Sequence, residues 1–255
     1  MLKFFLNYNQ LLGLWFVFYV KWLIKHKSRT NIKGTMLVPS SHFYQLNEVV
    51  ELIFLTSPMS VLDVGIGFGK YGFLCREYLD LLDGREKVND WKRRIDGIEI
   101  FENYITPLQK KIYDHIYIGN ALDILPNLNK TYDLILLIDI IEHCDYKDGE
   151  KLLELCRQHG KNVIVSTPKM DIPQPTMFGN PFEAHKAYYG KKFFRKYRDK
   201  IFISNFFSLI VYLGENTQAI KRILWKRRLL LNLPLHLKLK SISKSIFMRS
   251  MKHSC

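Results

Sequence analysis

A chain of 255 residues, 47% apolar and 24% charged, suits one α/β domain with appendages and can bury a sizeable core. Its net charge of +14 sits in the flanks: residues 1–35 carry six Lys/Arg and no acid, and residues 215–255 carry ten against one acid, which leaves 22 bases and 23 acids between them. A near-neutral middle disfavours a nucleic-acid enzyme with a basic cleft in its catalytic domain, and basic, apolar flanks point either to an anionic membrane surface or to solvated tails.

Residues 4–24, FFLNYNQLLGLWFVFYVKWLI, contain an unbroken apolar run from Leu11 to Val20 that is too short to span a bilayer. All of 4–24 as a helix would reach about 31 Å at ~1.5 Å per residue. Lys25, Lys27 and Arg29 follow it and no A-x-A site exists, which argues against a cleaved signal peptide. The positive-inside rule places that basic side in the cytosol. An interfacial helix is the first preference, a short anchor the second, a helix packed on the domain the third. Residues 28–40 read as a linker. The cysteines, Cys75, Cys144, Cys156 and Cys255, show no C-x-x-C spacing, so neither a zinc knuckle nor a redox motif is indicated, and free thiols fit a reducing, cytoplasmic setting.

Apolar residues at 43, 46, 49, 50, 53 and 54 predict a helix over 41–55, capped by Ser40 or Ser41. Residues 61–73, VLDVGIGFGKYGF, follow. Val61, Leu62 and Val64 form a buried strand with Asp63 at its end; Gly65, Gly67 and Gly69 follow at alternate positions; Phe73, Leu74 and Tyr78 resume with helical spacing. A strand, a glycine turn and a helix build a phosphate or nucleoside site, because glycine turns tightly and the helix N-terminus presents free N–H groups. Gly67, Gly69 and Gly72 match the dinucleotide pattern G-x-G-x-x-G, whereas Asp63 with Gly65, Gly67 and Gly69 matches D-x-G-x-G-x-G. A carboxylate at the strand end repels a pyrophosphate and tolerates a cation, which favours the second ligand class.

Residues 80–94 make a long helix-to-strand loop, either a solvated excursion or a lid. Residues 95–100 are the second strand, with Glu99 near its end, and 101–113 a helix. A short strand at 116–118 leads into Gly119-Asn120-Ala121. Residues 131–138, TYDLILLI, are an apolar strand covered on both faces, ending in Asp139-Ile-Ile-Glu142-His143. A helix at 147–158 and a strand at 162–166 follow. The loop 169–190 is broken by Pro173, Pro175, Gly179 and Pro181, and it leaves the carboxyl end of the sheet, where open α/β folds bind ligands. It carries Gln174, Asn180, Glu183 and His185. A helix at 191–197 and antiparallel strands at 201–203 and 207–212 complete the domain. The tail opens as a basic amphipathic helix, with Ile220, Ile223 and Leu224 on one face, and Pro234 breaks it.

Motif I, Glu99, residues 119–121 and residues 139–143, in this order, resemble the class I S-adenosylmethionine (SAM)-dependent methyltransferases over roughly 40–214. The stretch 179–185, GNPFEAH, resembles a segment of bacterial methyltransferase-domain proteins. The resemblance implies an α/β, Rossmann-like doubly wound sheet of seven strands with an antiparallel last strand. It implies a SAM site formed by Asp63, Gly65, Gly67, Gly69, Glu99, Ile100, Asn120, Ala121 and Asp139, with Glu99 on the ribose hydroxyls. Asn120 stands where the family usually has aspartate, and Asp123 is the nearby alternative. His143 or His185 would take the acceptor's proton, and Asp139 would hold the SAM amine or shape the cleft. D-x-x-E-H with a later histidine also resembles the E-x-x-E-H set with which small-RNA 2′-O-methyltransferases hold a metal. On that likeness Asp139, Glu142, His143 and His185 would bind Mg²⁺ or Mn²⁺, although the first ligand differs and no metal ligand is assigned from sequence. The resulting expectation is three segments: 1–35 apolar and basic, 36–214 the methyltransferase domain, 215–255 the basic tail. The acceptor is expected to be a small molecule, lipid-linked or glycan in type, met at the inner membrane face. An RNA methyltransferase using the tail and a non-catalytic SAM-binding scaffold are the alternatives.

Overall fold

The computed structural model describes residues 40–177 and 179–232. At its centre are seven strands: β1 Ser60–Val64, β2 Arg94–Glu99, β3 His115–Ile118, β4 Leu134–Ile138, β5 Asn162–Pro168, β6 Lys200–Ile203 and β7 Ser208–Gly214. They form one sheet in the order β3-β2-β1-β4-β5-β7-β6. β1 to β5 are parallel to one another, and β7 runs antiparallel to both β5 and β6. This is the Rossmann-like sheet with an antiparallel last strand that the resemblance implied.

Side chains alternate across a strand, so each strand feeds two cores. Leu62, Val64, Ile98, Ile135, Leu137, Val163, Val165 and Val211 share one face. The helix Tyr146–His159 covers it with Leu152, Leu153 and Cys156. Val61, Ile95, Leu134, Leu136, Ile138, Ile164 and Ile210 share the other. The helices are α1 Leu46–Thr56, α2 Lys70–Cys75 with a π-helical continuation Arg76–Asp80, α3 Pro107–Ile112, α4 Ala121–Ile124, α5 Tyr146–His159, α6 Lys191–Phe194 and α7 Thr217–Asn232. Val49, Leu52 and Ile53 of α1, Tyr71 and Cys75 of α2, and Ile220 of α7 close the second core.

Several elements differ from the sequence expectation for identifiable reasons. The first helix opens as a 3-10 turn, Phe43–Gln45, capped by His42 and not by Ser40 or Ser41. The helix expected at 101–113 splits into a 3-10 turn Glu102–Tyr104 and α3. Pro107 forces Thr106 into an extended conformation, and Thr106 then caps α3 in a capping box with Gln109. β4 starts at Leu134; before it Tyr132 makes only an isolated bridge to Gly160, and the Asp133 carboxylate accepts the N–H groups of Met59 and Ser60 (2.9 and 3.2 Å). On α2 the buried residues are Tyr71, Gly72 and Cys75, whereas Phe73 is exposed. In α7, Ile220 is buried and Leu224 packs on the same core, whereas Ile223 is exposed.

The loop 80–94 runs from the end of α2 to the start of β2, on the amino side of the strands. Its neck is tied by buried Asp80, which pairs with Arg76 at 3.1 Å and accepts Lys92 N–H at 3.1 Å. The loop is therefore an excursion on the edge away from the strands' carboxyl ends, not a lid over them. Residues 4–24 and Pro234 lie outside the described residues; among the described helices none is long and apolar enough to cross a membrane.

Gly72 has no backbone reason to be glycine, yet a Cβ there would lie 2.3 Å from Cζ of Tyr113. Tyr113 is buried and hydrogen-bonded, so it cannot swing aside. Gly72→Ala is expected to destabilise the fold by about 1–3 kcal/mol, the usual cost of overpacking, in urea unfolding. A loss below the error of the measurement would show that the ring has room to move.

Candidate functional site at the carboxyl ends of the strands

β1 ends in a loop whose glycines alternate in the left-handed region: Gly65 at φ 77°, Gly67 at 48° and Gly69 at 88°. L-residues rarely hold such angles. Gly65 N–H and Ile66 N–H both donate to Ile98 O at the tip of β2 (2.8 and 3.2 Å), so the loop must fold across the neighbouring strand. A Cβ at Gly65 would fall 2.0 Å from Cδ1 of Ile140, so no side chain fits under the loop.

Glu99 meets this loop from β2. Its Oε2 accepts Gly67 N–H at 2.9 Å and its Oε1 accepts Phe101 N–H at 3.0 Å. The carboxyl is nearly buried. Burial raises its pKa, and the backbone N–H donors oppose that rise. Each oxygen keeps a lone pair, so the group can still accept from hydroxyls on its open side. Gln109 of α3 braces the loop from below by donating to Gly67 O at 2.9 Å.

Asp63 sits beneath the loop. Its Oδ2 accepts the Tyr113 hydroxyl at 2.6 Å, and that hydroxyl accepts Gly72 N–H at 3.2 Å. Burial raises the pKa to about 7, with Glu99 adding to the rise and Tyr113 opposing it. Asp63 therefore ties β1 to α2 and α3 from within the protein. Ile100 is half-buried beside the β2 tip. Asn120 caps α4 by accepting Leu122 N–H at 3.0 Å, and Ala121 is buried behind it.

The tip of β4 forms the second half of the site. Asp139 has φ 54°, a strained value for a residue with a side chain. It accepts Gln45 Nε2–H at 2.6 Å and the Ser166 hydroxyl at 2.9 Å. Burial raises its pKa, those two donors oppose the rise, and the charge of Lys70 lowers it further. Gln45, Ser166 and Lys70 were not singled out by sequence. The sequence shows Gln45 only as a polar residue at the head of an apolar helix, and the structure buries it fully.

Glu142, His143 and His185 come together three residues further on. One ligand-type atom from each lies within 4.8 Å of the other two, and the imidazole centroids are 5.0 Å apart. Asp139 is not among them. His143 Nδ1 lies 3.2 Å from Ala184 O and His185 Nδ1 2.6 Å from Ile172 O. A carbonyl only accepts, so both Nδ1 atoms carry a proton. Burial lowers the His143 pKa to about 4, so the ring is neutral near pH 7. Glu142 is buried, with its Oε2 lacking any hydrogen-bond partner, and burial together with Asp139 lifts its pKa well above the usual range. The loop 169–190 is stitched to this corner through Lys186 N–H on Glu142 O (2.8 Å), and to the β2 side through the Tyr104 hydroxyl on Glu183 (3.2 Å).

No protein-family model matches the chain, and no curated protein does. Among solved structures, it is similar to a SAM-dependent methyltransferase from Archaeoglobus fulgidus, at 20% identity over 72% of this chain and 78% of that one, with a TM-score of 0.47. It is also similar to an O-methyltransferase family protein from Burkholderia thailandensis, at 12% identity over 68% of this chain and 57% of that one, with a TM-score of 0.47. Likenesses this distant carry no argument about activity, and the fold rests on the strand order and directions described above.

The pKa of Asp63 is higher folded than unfolded, so the folded state holds the extra proton and folding is favoured at low pH. That stability is lost progressively as pH rises from 3.8 to about 7. Asp63→Asn keeps an acceptor for Tyr113 without the charge. Unfolding titrations over this range are expected to show wild type losing stability relative to Asp63→Asn. Parallel curves would mean that the carboxyl titrates normally.

Proposed function

We propose that this protein is a SAM-dependent methyltransferase acting on a small-molecule acceptor. One observation carries the reading: three alternate left-handed glycines at the tip of β1, with the middle N–H held by a buried carboxylate from the tip of β2. The cradle fits a nucleoside. Glycine lets the ligand lie against the backbone, and Glu99 offers two acceptor oxygens to a vicinal diol.

SAM supplies a methyl already activated by its sulfonium: as the acceptor's lone pair forms the new bond to carbon, the C–S electron pair returns to sulfur and S-adenosylhomocysteine is left. The protein's part is alignment, exclusion of water and removal of one proton. Asp139, one strand over from the glycine loop, suits the cationic amine of the methionine half. The neutral ring of His143, with His185 beside it, stands at the rim of the same edge, where it can handle the acceptor's proton. An acid-lined site also disfavours a dinucleotide, whose pyrophosphate Asp63, Glu99 and Asp139 would repel.

We further propose that the acceptor is lipid-linked and is met at an anionic membrane surface on the cytoplasmic side. The outward side of α7 supports this. Trp225 and Leu229, 61% and 46% exposed, lie one turn apart, with exposed Arg222, Lys226 and Arg228 around them. Such a stripe combines apolar insertion with attraction to acidic headgroups.

Calorimetry with SAM tests the first proposal. Binding to wild type is expected, with Glu99→Gln weakened roughly 10- to 100-fold, the equivalent of a charge-assisted hydrogen bond at ~1.5–3 kcal/mol. No heat on well-folded wild-type protein would sink it. Co-sedimentation tests the second. Binding to vesicles with acidic lipids is expected to fall with salt and on Trp225→Ala. Equal binding to neutral vesicles would remove the anionic surface.

A further inference from the structure

We infer that residues 179–187 form a strap across the cofactor cleft, latched by Glu183 to Tyr104, and that the cofactor enters and leaves when this latch opens. This goes beyond the methyltransferase reading and rests on it for the identity of the ligand.

The strand order makes the crossing. Lys186 N–H and Ala187 N–H donate to Glu142 O (2.8 and 3.3 Å), in the turn that follows β4. Three residues earlier in the chain, Glu183 Oε1 accepts the Tyr104 hydroxyl at 3.2 Å, in the 3-10 turn that follows β2. β1 lies between β4 and β2, so the chain linking these bonds spans two strand spacings, about 10 Å at ~4.8 Å each, and passes the tip that carries the glycine loop. The charge of Glu99 reaches the Glu183 carboxylate, which sets the strap beside the acid proposed for the ribose.

The two ends are held unequally. Two backbone N–H groups secure the β4 end. At the β2 end the tie to the rest of the protein is one side-chain hydroxyl. Buried Asn180 donates to the same Glu183 oxygen at 3.2 Å and accepts Phe182 N–H at 2.9 Å, so a short turn within the strap presents the carboxylate. Tyr104 is a fixed post: it is buried, and its carbonyl accepts from Gln109 at 2.8 Å, the same amide that donates to Gly67 O. Post and glycine cradle therefore form one piece, and the strap is the part that lifts. Lifting it uncovers little apolar area. Among residues 179–187 only Ala187 packs on a hydrophobic core, and Pro181 and Phe182 are exposed. Few buried contacts and one tertiary bond describe a segment that opens well before the fold does. A ligand beneath it leaves no faster than the strap opens, and enters only the open fraction. Glu183 and Tyr104 are thus positioning residues that act on the cofactor through the strap.

The experiment uses the full chain. Association and dissociation of S-adenosylhomocysteine are measured by surface plasmon resonance on wild type, Tyr104→Phe and Glu183→Ala. The first variant keeps the buried ring and the second lies on a loop, so both should keep the wild-type melting curve. Each is expected to raise both rates about 10-fold, the lower end for loss of a hydrogen bond to a charged group, with a smaller change in Kd. A residue that merely supports the fold or holds the ligand would not speed association when removed. Unchanged rates, or faster dissociation alone, would overturn the strap. Hydrogen exchange on the ligand-free chain reads the latch without any cofactor. The Glu183, His185 and Lys186 amides are expected to exchange faster in both variants, with α5 unchanged, and no acceleration would overturn the latch. Faster exchange in the variants, with no S-adenosylhomocysteine bound by wild type, would overturn the methyltransferase reading alone.

Discussion

The carboxylate of Glu99 is the constraint on which the first half of the site depends. The β1–β2 register sets Val64 opposite Ile98, so the residues that follow, Gly65 and Glu99, emerge side by side. Two successive N–H groups of the loop converge on Ile98 O, and a third goes to Glu99. A backbone pulled onto its neighbour three times in this way can turn only through positive φ, which is why the glycines alternate. Gln109 from below and Glu99 from the side then hold the Gly67 peptide by its carbonyl and its N–H. The loop is preorganised before any ligand arrives, so binding need not order it.

Asp139 plays the matching part in the second half. A left-handed aspartate costs on the order of 1–3 kcal/mol and persists only where its surroundings over-determine it. Here Gln45 reaches in from the N-terminal 3-10 turn, Ser166 from β5, and Asp139 N–H donates to Ser166 O at 2.9 Å. The strain turns the chain sharply off β4, and the short turn that follows delivers Glu142 and His143 to the rim. The same contacts bind the first turn of the described chain to the site, so that segment forms part of its wall.

Much of this was legible in the sequence because it lives in local patterns. The five-residue apolar run of β4, the D-x-G-x-G-x-G turn and the antiparallel last pair follow from period, glycine spacing and turn chemistry. The loop 169–190 was also marked by its prolines and its place after β5. What stayed hidden depends on contacts distant in sequence. Nothing near Asp63 reveals that the Tyr113 hydroxyl, fifty positions on, donates to its carboxylate, so its role as an internal tie required the fold. Asp139 matched a metal-ligand spacing, but spacing does not report that φ 54° and the Gln45 amide turn it elsewhere. The splitting at Thr106-Pro107 was readable in principle, since proline disfavours helix at the residue before it, and the helical period across 101–113 obscured it.

The charge balance of the site is the last step. Asp63, Glu99, Asp139 and Glu142 all lie on the carboxyl edge of one sheet, and burial pushes each of their pKa values up. Four carboxyl groups strained in the same direction describe a region of the protein that gains by receiving positive charge. Lys70 answers this only in part: its ammonium donates to Ser41 O, and its own pKa is lowered by burial despite the pull of Asp139. A dinucleotide would bring two more negative charges to this edge. SAM, with a sulfonium, an ammonium and one carboxylate, would bring a net charge of +1 instead. Each cation lowers the carboxyl pKa values next to it and so relieves what burial costs. A site whose carboxyl groups are all displaced in the same sense is electrostatically complementary to a cationic ligand.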